Sequence, residues 1–402
     1  MKVRAHVVPV AVMAVAALLV TTGCSSSGCP TQTSGSSSTS GGTGSGTTIT
    51  SSCGTSGGGG TSSTSVLLYY IDSSGALQGA SLSTSGTLAA FSGYTPPSVT
   101  FGGDTRGMII VNKQFLYLPQ STSGVIQGYS INHTTGALTA IPGSPFSTSG
   151  GDTIIADPLG RFVFLSDSSG GEVSAFQIDP STGALTQSPG SPFAAPIVSG
   201  YNLAVDGTST YLYISQGDSS LPTAGFSIDP NSGALSPIPG SPFYLGVAGV
   251  RAESTGLYLV GASGLDTDFN LYVFALESGT GVPSLVSGSP SPTTYAPFNL
   301  AVSPVGAFVY NFGVDSTDTL QVPEGLSLNL TTGALSELSG SPFTSLPAVP
   351  TCLFDQSGTE MFCPSGSGTS FSVFGANTSS GGLTFTVQPL TVTYDFPFAA
   401  TD

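Results

Sequence analysis

Short apolar runs alternate with turn-forming segments along most of this chain, and this pattern predicts β-strands. The plan is clearest between Thr153 and Phe193, where four apolar runs are separated by loops rich in Asp, Pro, Ser and Gly. Phe162 and Phe164 lie on one face of the second run, as the two-residue period of a strand requires. Pro and Gly in the intervening turns favour the backbone angles of tight reversals. The stretch therefore predicts four short antiparallel strands.

This unit is repeated seven times. A turn of the type Ser/Thr-Gly-Ala-Leu recurs with its glycine spaced by 50, 47, 50, 48, 52 and 49 residues. The glycines are Gly86, Gly136, Gly183, Gly233, Gly281, Gly333 and Gly382. A period of roughly 40–50 residues built from short strands is typical of a β-propeller with one blade per repeat. The fold class is therefore predicted as all-β, a seven-bladed β-propeller of four antiparallel strands per blade over residues 66–402.

The two ends of this region complement each other. Apolar runs at 67–71, 77–82 and 88–91 supply only three strands of the first blade. The C-terminal segment 396–402 resembles the first strand of a later blade at 201–206. We expect the C-terminal strand to join the N-terminal blade and close the ring.

Residues 1–23 have the parts of a secretory signal, with Lys2 and Arg4 ahead of an apolar run and then Gly23-Cys24. The ending resembles a bacterial lipobox, which implies that Cys24 is lipidated and becomes the first mature residue. Residues 24–65 then predict a tether, because 36 of the 41 residues after Cys24 are Ser, Gly or Thr. Ser25 in place of Asp favours an exported lipoprotein at the outer membrane or cell surface.

Two cysteines of the propeller region are candidates for a disulfide. A tight turn centred on Ser357-Gly358 would place Cys352 and Cys363 opposite each other on adjacent strands. Two buried free thiols are the alternative. Whether Cys29 pairs with Cys53 is left open.

The charge of the mature chain limits its partners. Four basic residues stand against 22 acidic ones, so the formal charge is 4 − 22 = −18. Nucleic acid is excluded as a partner, because its binding depends on neutralised phosphates. Docking on anionic lipid is disfavoured for the same reason. We expect a monomer that meets the membrane only through its lipid anchor.

Several segments carry a family resemblance. Residues 157–162, 173–180 and 183–185 resemble the lactonase-like seven-bladed propellers, which include bacterial 6-phosphogluconolactonase and the fungal carboxymuconate lactonizing enzyme. The resemblance implies a site of His, Arg and Glu around the central channel. These are repeat motifs, so they specify fold more than chemistry.

The candidate catalytic residues are Arg251, Glu253 and Arg106. Arg251 and Glu253 alternate with Ala252 on a predicted inner strand, which would let both point into the channel; a plain ion pair between them is the preferred interpretation. Arg106 immediately precedes another inner strand. The basic residues are too dispersed to clamp a phosphorylated lactone.

Closely spaced aspartates in the loops of blades five and six are candidate calcium ligands. They are Asp266, Asp268, Asp315 and Asp318. Carboxylate oxygens suit Ca²⁺, but Asp is also a common turn former. No other cofactor is expected.

The sequence favours a binding or interaction module for a neutral or cationic small molecule, a glycan or a protein. A lactone hydrolase of the 6-phosphogluconolactonase type, with its site in the channel, is the alternative hypothesis. A surface-coat role without a small ligand also stays open. The sequence therefore leaves undecided whether the protein is an enzyme, and it favours a role without catalysis.

Overall fold

The computed structural model describes residues 66–83, 86–98, 101, 107–167, 171–197, 202–355, 357–391 and 394–401. The regular elements of these residues are β-strands. This part of the chain contains no helix long and apolar enough to cross a bilayer. The predicted signal 1–23, the lipidation site Cys24, the tether 25–65 and Arg106 lie outside the described residues.

The strands form seven antiparallel sheets, numbered here as blades in chain order. Blade 1 contains β1 (Val66–Asp72), β2 (Leu77–Leu82), β3 (Leu88–Ala90) and the last strand, β31 (Tyr394–Ala400). Blade 2 contains β4 (Ile109–Val111), β5 (Phe115–Gln120), β6 (Val125–Ile131), β7 (Leu138–Ala140) and β8 (Phe146–Ser147). Blade 3 contains β9 (Thr153–Ala156), β10 (Phe162–Ser166), β11 (Glu172–Ile178), β12 (Leu185–Gln187) and β13 (Phe193–Ala194).

The remaining four blades follow the same plan. Blade 4 contains β14 (Asn202–Val205), β15 (Tyr211–Ser215), β16 (Ala224–Ile228) and β17 (Leu235–Pro237). Blade 5 contains β18 (Gly249–Ala252), β19 (Tyr258–Ala262), β20 (Asn270–Leu276), β21 (Pro283–Leu285) and β22 (Ser291–Pro292). Blade 6 contains β23 (Ala296–Val302), β24 (Phe308–Val314), β25 (Glu324–Leu328) and β26 (Leu335–Glu337). Blade 7 contains β27 (Leu353–Phe354), β28 (Glu360–Pro364), β29 (Ser370–Ala376) and β30 (Leu383–Thr391).

The predicted seven-bladed propeller and its closure are confirmed. The C-terminal strand β31 pairs antiparallel with β1, in the register Leu68↔Ala400. The backbone N–H of Leu67 donates to Thr401 Oγ1 at 2.8 Å, which extends the pairing by one residue. The strands β4, β9, β14, β18 and β23 contact one another in succession, and β31 contacts both β4 and β27. These seven strands surround the central channel.

Each blade buries both of its faces. In blade 3, Phe162 and Phe164 join an apolar cluster with blade 4, whereas Val163 and Leu165, on the same strand, join a cluster with blade 2. Alternate side chains of a strand point to opposite faces. The sequence of the second strand is therefore a continuous apolar run and does not alternate between apolar and polar residues, because neither face is exposed to water.

The repeated Thr-Gly turn is the point at which one blade docks on the next. In blade 3 the Asp179 carboxylate accepts the backbone N–H of Thr182, and Gly183 then adopts a φ of 74°. A Cβ at Gly183 would collide with the ring of Phe115 in blade 2. Glycine is therefore required both by its backbone conformation and by the close approach of the neighbouring blade.

Four blades bond to these turns through a buried tyrosine. In each case the tyrosine lies on the strand next to the innermost strand of its blade. Its phenol O–H donates to the backbone carbonyl of the turn glycine in the next blade. The pairs are Tyr69–Gly136 at 2.9 Å, Tyr117–Gly183 at 2.6 Å, Tyr213–Gly281 at 2.5 Å and Tyr310–Gly381 at 2.7 Å. The last pair corrects the predicted repeat: Gly381, with a φ of 71°, is the equivalent glycine and not Gly382.

The recurring Gly-Ser-Pro-Phe segments reinforce the third strand of blades 2, 3, 4 and 6. In blade 4 the backbone N–H of Gly225 donates to Ser241 Oγ at 2.9 Å, and Phe243 closes over the same glycine. Blade 2 repeats this arrangement with Gly128, Ser144 and Phe146. The segment is therefore a structural part of the repeat.

Blade 7 contains the disulfide Cys352–Cys363. The two Cα atoms are 4.2 Å apart, and the bond links the start of the innermost strand to the second strand. Both cysteines are fully buried.

We expect Tyr213→Phe to lower the free energy of unfolding by about 1–2 kcal/mol, because it leaves the buried Gly281 carbonyl without its partner. Tyr211→Phe is the matched control on the same strand: no described residue accepts a hydrogen bond from the Tyr211 hydroxyl. Denaturant unfolding of both variants measures the difference. Equal destabilisation by the two substitutions would contradict the role of the bond.

Candidate functional site

The central channel contains two chambers that share two lining residues, Arg251 and Leu300. The outer chamber, about 50 Å³, lies where the innermost strands begin; it is lined by Asn202, Gly217, Ala248, Gly249, Arg251, Ala262, Gly264, Phe298, Asn299 and Leu300. The inner chamber, about 110 Å³, lies towards the ends of these strands; it is lined by Ile155, Leu203, Ala204, Val205, Arg251, Ala252, Leu300, Ala301, Val302, Pro304, Cys352, Leu353, Phe354 and Asp355. Innermost strands of five blades supply the wall, which places the inner chamber on the channel axis.

Arg251 is a cation without a counter-charge. It lies on β18, and its Nη1 donates to the Val250 carbonyl at 3.1 Å and to Asn202 Oδ1 at 3.4 Å. Within the described residues no carboxylate lies within 4.0 Å of its guanidinium. Burial lowers the pKa of Arg251 to about 10, so the group stays charged at neutral pH. A partly buried guanidinium without a carboxylate partner among the described residues is suited to bind a carboxylate or a developing oxyanion.

Glu253 does not accompany Arg251 in the channel, which corrects the expectation from the sequence. Its carboxylate accepts hydrogen bonds from the backbone N–H groups of Thr255 and Leu257, both at 2.6 Å. The Thr255 hydroxyl donates to it as well, at 2.8 Å. It does not pair with Arg251 either. Glu253 instead caps the turn between β18 and β19.

The same capping position recurs around the ring. Asp157, Asp206 and Asp355 each accept the backbone N–H of the residue five positions ahead, as Glu253 does with Tyr258. Arg161 has a structural role in this turn, because its Nε donates to Asp157 Oδ2 at 2.9 Å. The recurrence of this position in the repeat identifies Glu253 as a turn cap.

The four candidate calcium ligands are occupied by local contacts or exposed. Asp268 accepts Asn270 Nδ2 at 2.7 Å and the Tyr272 hydroxyl at 3.0 Å. Asp315 accepts the backbone N–H of Thr317 at 2.8 Å. Asp266 and Asp318 are exposed. In the part of the chain that the structure describes, no three acidic, His or Cys side chains come together with metal-binding geometry.

Asp355 is a site residue that the sequence pattern did not single out. It caps the turn of blade 7, yet it also lines the inner chamber that contains Arg251. It is 1% exposed, and burial raises the pKa of its carboxyl. Asp355 and Arg251 are the two ionisable side chains among the described residues that line the chambers.

A second buried acid lies beside Asp355. Glu360 occupies the position of Phe162 and Tyr211 in other blades, so a carboxyl replaces an aromatic ring. Its Oε2 is buried and has no hydrogen-bond partner. Burial and the nearby Asp355 raise the pKa of Glu360 from 4.5 to about 7.

This shift predicts that stability falls as the pH rises. The pKa of Glu360 is higher in the folded state than in the unfolded state. Its contribution to the stability of the folded state is therefore most favourable below pH 4.5 and is lost as the pH rises to about 7. We expect Glu360→Gln to raise the free energy of unfolding by about 1–2 kcal/mol over the wild type at pH 8, a value reduced to allow for solvent screening. At pH 4 the substitution should change it little. Thermal unfolding at both pH values measures this. Glu337→Gln, at an exposed glutamate, is the control; a gain of the same size there would refute the assignment.

Comparisons with known proteins agree with this fold. Residues 74–197 match the model of the family described as "Lactonase, 7-bladed beta-propeller". No curated protein sequence matches the chain.

Solved structures of similar shape cover nearly the whole propeller. A protein from Bacteroides uniformis assigned as a 6-phosphogluconolactonase superposes with a TM-score of 0.62 at 14% identity, over 84% of this chain and 99% of its own. A Bacteroides fragilis protein with the same assignment gives 0.62 at 14%, over 86% and 100%. The periplasmic gluconolactonase of Pseudomonas aeruginosa gives 0.55 at 16%, over 83% and 98%. The resemblance to the lactonase-like seven-bladed propellers is therefore confirmed, by the match of residues 74–197 to that family's model and by the fold of the described chain.

Proposed function

We propose that this protein hydrolyses a lactone in its central channel. The observation that carries the proposal is the unpaired guanidinium of Arg251 at the junction of the two chambers. The match to the lactonase family and the assignments of the similar structures, a 6-phosphogluconolactonase and a gluconolactonase, support the reaction class. These findings favour the lactonase hypothesis over the binding module that the sequence favoured.

Arg251 would bind the lactone carbonyl oxygen and stabilise the negative charge that forms on it. Preorganised donors in a dry site are worth most at the point where charge develops. Asn202 holds the guanidinium through its Oδ1 at 3.4 Å. The missing counter-charge matters here, because a paired carboxylate would compete with the oxyanion for the same donors.

Asp355 would act as the general base. Water adds to the carbonyl carbon as its proton passes to the Asp355 carboxylate. The ring C–O bond then breaks, the leaving oxygen takes up that proton, and a hydroxy acid results. The raised pKa of Asp355 makes its carboxylate a stronger base than an exposed aspartate.

The export of the protein is a separate proposal from the sequence. We propose that residues 1–23 direct secretion and that Cys24 carries the lipid that holds the propeller at the outer membrane or cell surface. Fractionation of cells that express the wild type and Cys24→Ser tests this. The wild type should sediment with membranes and the variant should not; equal distribution of the two would refute the anchor.

Lactone hydrolysis is tested with the full chain on a panel of γ- and δ-lactones. We expect Arg251→Ala to lower kcat/KM by about 10²–10³-fold, as loss of an oxyanion donor does. Asp355→Asn should lower kcat by about 10²-fold or more, as loss of a general base does.

The matched control is Asp206→Asn. Asp206 makes the same turn-capping bonds in blade 4, to the N–H groups of Thr210 and Tyr211, but it lines neither chamber. We expect it to change stability and not kcat. Equal activity of Asp355→Asn and Asp206→Asn would remove Asp355 as the base. Hydrolysis that survives Arg251→Ala would place the site elsewhere.

A further inference from the structure

We infer that the outer chamber accepts an aliphatic substituent of the ligand, so that the substrate is a lactone with a linear alkyl chain and not a sugar lactone. This inference rests on the proposed function for the identity of the reacting ring. It adds the part of the ligand that the outer chamber would contact. Three features of the outer chamber support an aliphatic substituent: its chemistry, its width and its rim.

The chemistry of the outer wall is mostly apolar. Besides Arg251, the described side chains that line it are two asparagines and a set of small or apolar residues. One polar atom of each amide already has a partner: Asn202 Oδ1 accepts from Arg251, and Asn299 Nδ2 donates to the Pro350 carbonyl at 3.0 Å. A polyhydroxylated chain would lose its water here and find few partners, at a cost of about 1–3 kcal/mol for each unmade hydrogen bond. An alkyl chain pays no such penalty.

The width of the outer chamber suits a slender chain. Glycine and alanine form much of its wall, and the free space is about 50 Å³. A Cβ at Gly264 would already lie 3.0 Å from the Ala248 Cβ, and one at Gly249 would lie 3.1 Å from Asn202 Nδ2. A linear chain of a few methylene groups fits between these walls, whereas a second ring or a phosphate does not.

The rim contains one large aliphatic side chain, beside the exposed Asp266. Leu265 directly follows Gly264 of the chamber wall, and it is 52% exposed. A large exposed aliphatic side chain at the entrance of a cavity is suited to contact an apolar ligand. The formal charge of −18 on the mature chain acts in the same direction, because it disfavours the approach of a multiply charged anion such as a phosphorylated lactone.

The position of the reacting ring follows from these features. The ring occupies the inner chamber, where Arg251 and Asp355 both line the wall. A volume of about 110 Å³ is of the order of the ~150 Å³ apolar cavity that holds benzene. The alkyl chain then trails through the outer chamber towards Leu265.

Binding and turnover test this inference separately. Calorimetry with the full-length protein compares acetate, butanoate, hexanoate and gluconate, whose carboxylates match Arg251 and whose tails differ. We expect affinity to rise about threefold for each methylene over about four carbons, in line with the usual gain for a buried methylene, and gluconate to bind more weakly than hexanoate. Tighter binding of gluconate, or affinity independent of chain length, would overturn the inference.

The turnover arm compares γ-lactones with and without a linear four-carbon chain against gluconolactone. We expect kcat/KM to be at least tenfold higher for the alkylated lactone. Hydrolysis of gluconolactone alone would overturn the inference and leave the proposed function intact. Chain-length-dependent binding of the alkanoates without any hydrolysis would support the apolar outer chamber and contradict the proposed function.

Two substitutions test whether the alkyl chain of the ligand lies in the outer chamber. Ala248→Val narrows the chamber, and its backbone bonds to Gly217 and Ala262 do not involve the side chain. Leu265→Ser removes the apolar rim at an exposed position that the fold tolerates. Both should flatten the chain-length dependence and leave acetate binding unchanged. Leu257→Ser is the control, since Leu257 is 46% exposed in the turn at the opposite end of blade 5. Equal effects of Leu265→Ser and Leu257→Ser would place the chain elsewhere.

Discussion

Every blade of this protein has two apolar faces, and neither face can leave water without a neighbouring blade. Side chains of β10 show the constraint directly, since Phe164 is buried against blade 4 and Val163 against blade 2. An open row of blades would expose one apolar face at each end. Pairing of β31 with β1 removes both exposed faces, because it places a cluster of Leu68, Tyr70 and Phe371 between the first and last blades.

Closure of the ring also determines the properties of the channel. The innermost strands of the seven blades converge around one axis, so space is scarce and the walls are built from small residues such as Gly249, Ala248 and Ala252. A charged side chain on one of these strands loses most of its water. Arg251 is in this position, and no carboxylate of the described residues pairs with its guanidinium.

The repeat explains why acidic residues are hard to assign from sequence. A carboxylate at the end of the innermost strand caps the following turn in blades 3, 4, 5 and 7, through Asp157, Asp206, Glu253 and Asp355. The four residues are equivalent in the chain and make the same backbone contacts. Asp355 alone among them lines the inner chamber, because the surroundings of the cap differ between blades. Spacing in sequence therefore indicated the cap and not the exposure to the channel.

The sequence by itself determined the features that depend on neighbouring residues in the chain. Turn glycines, apolar runs and their period predicted seven blades, four strands in each, and the strand that closes the ring. Only the tertiary structure decided that Tyr213 bonds to Gly281 of the next blade, that Glu253 faces its own turn, and that no described carboxylate pairs with Arg251. The physical reason is distance along the chain: local backbone conformation follows from adjacent residues, whereas the channel is assembled from five blades whose equivalent positions lie about 50 residues apart.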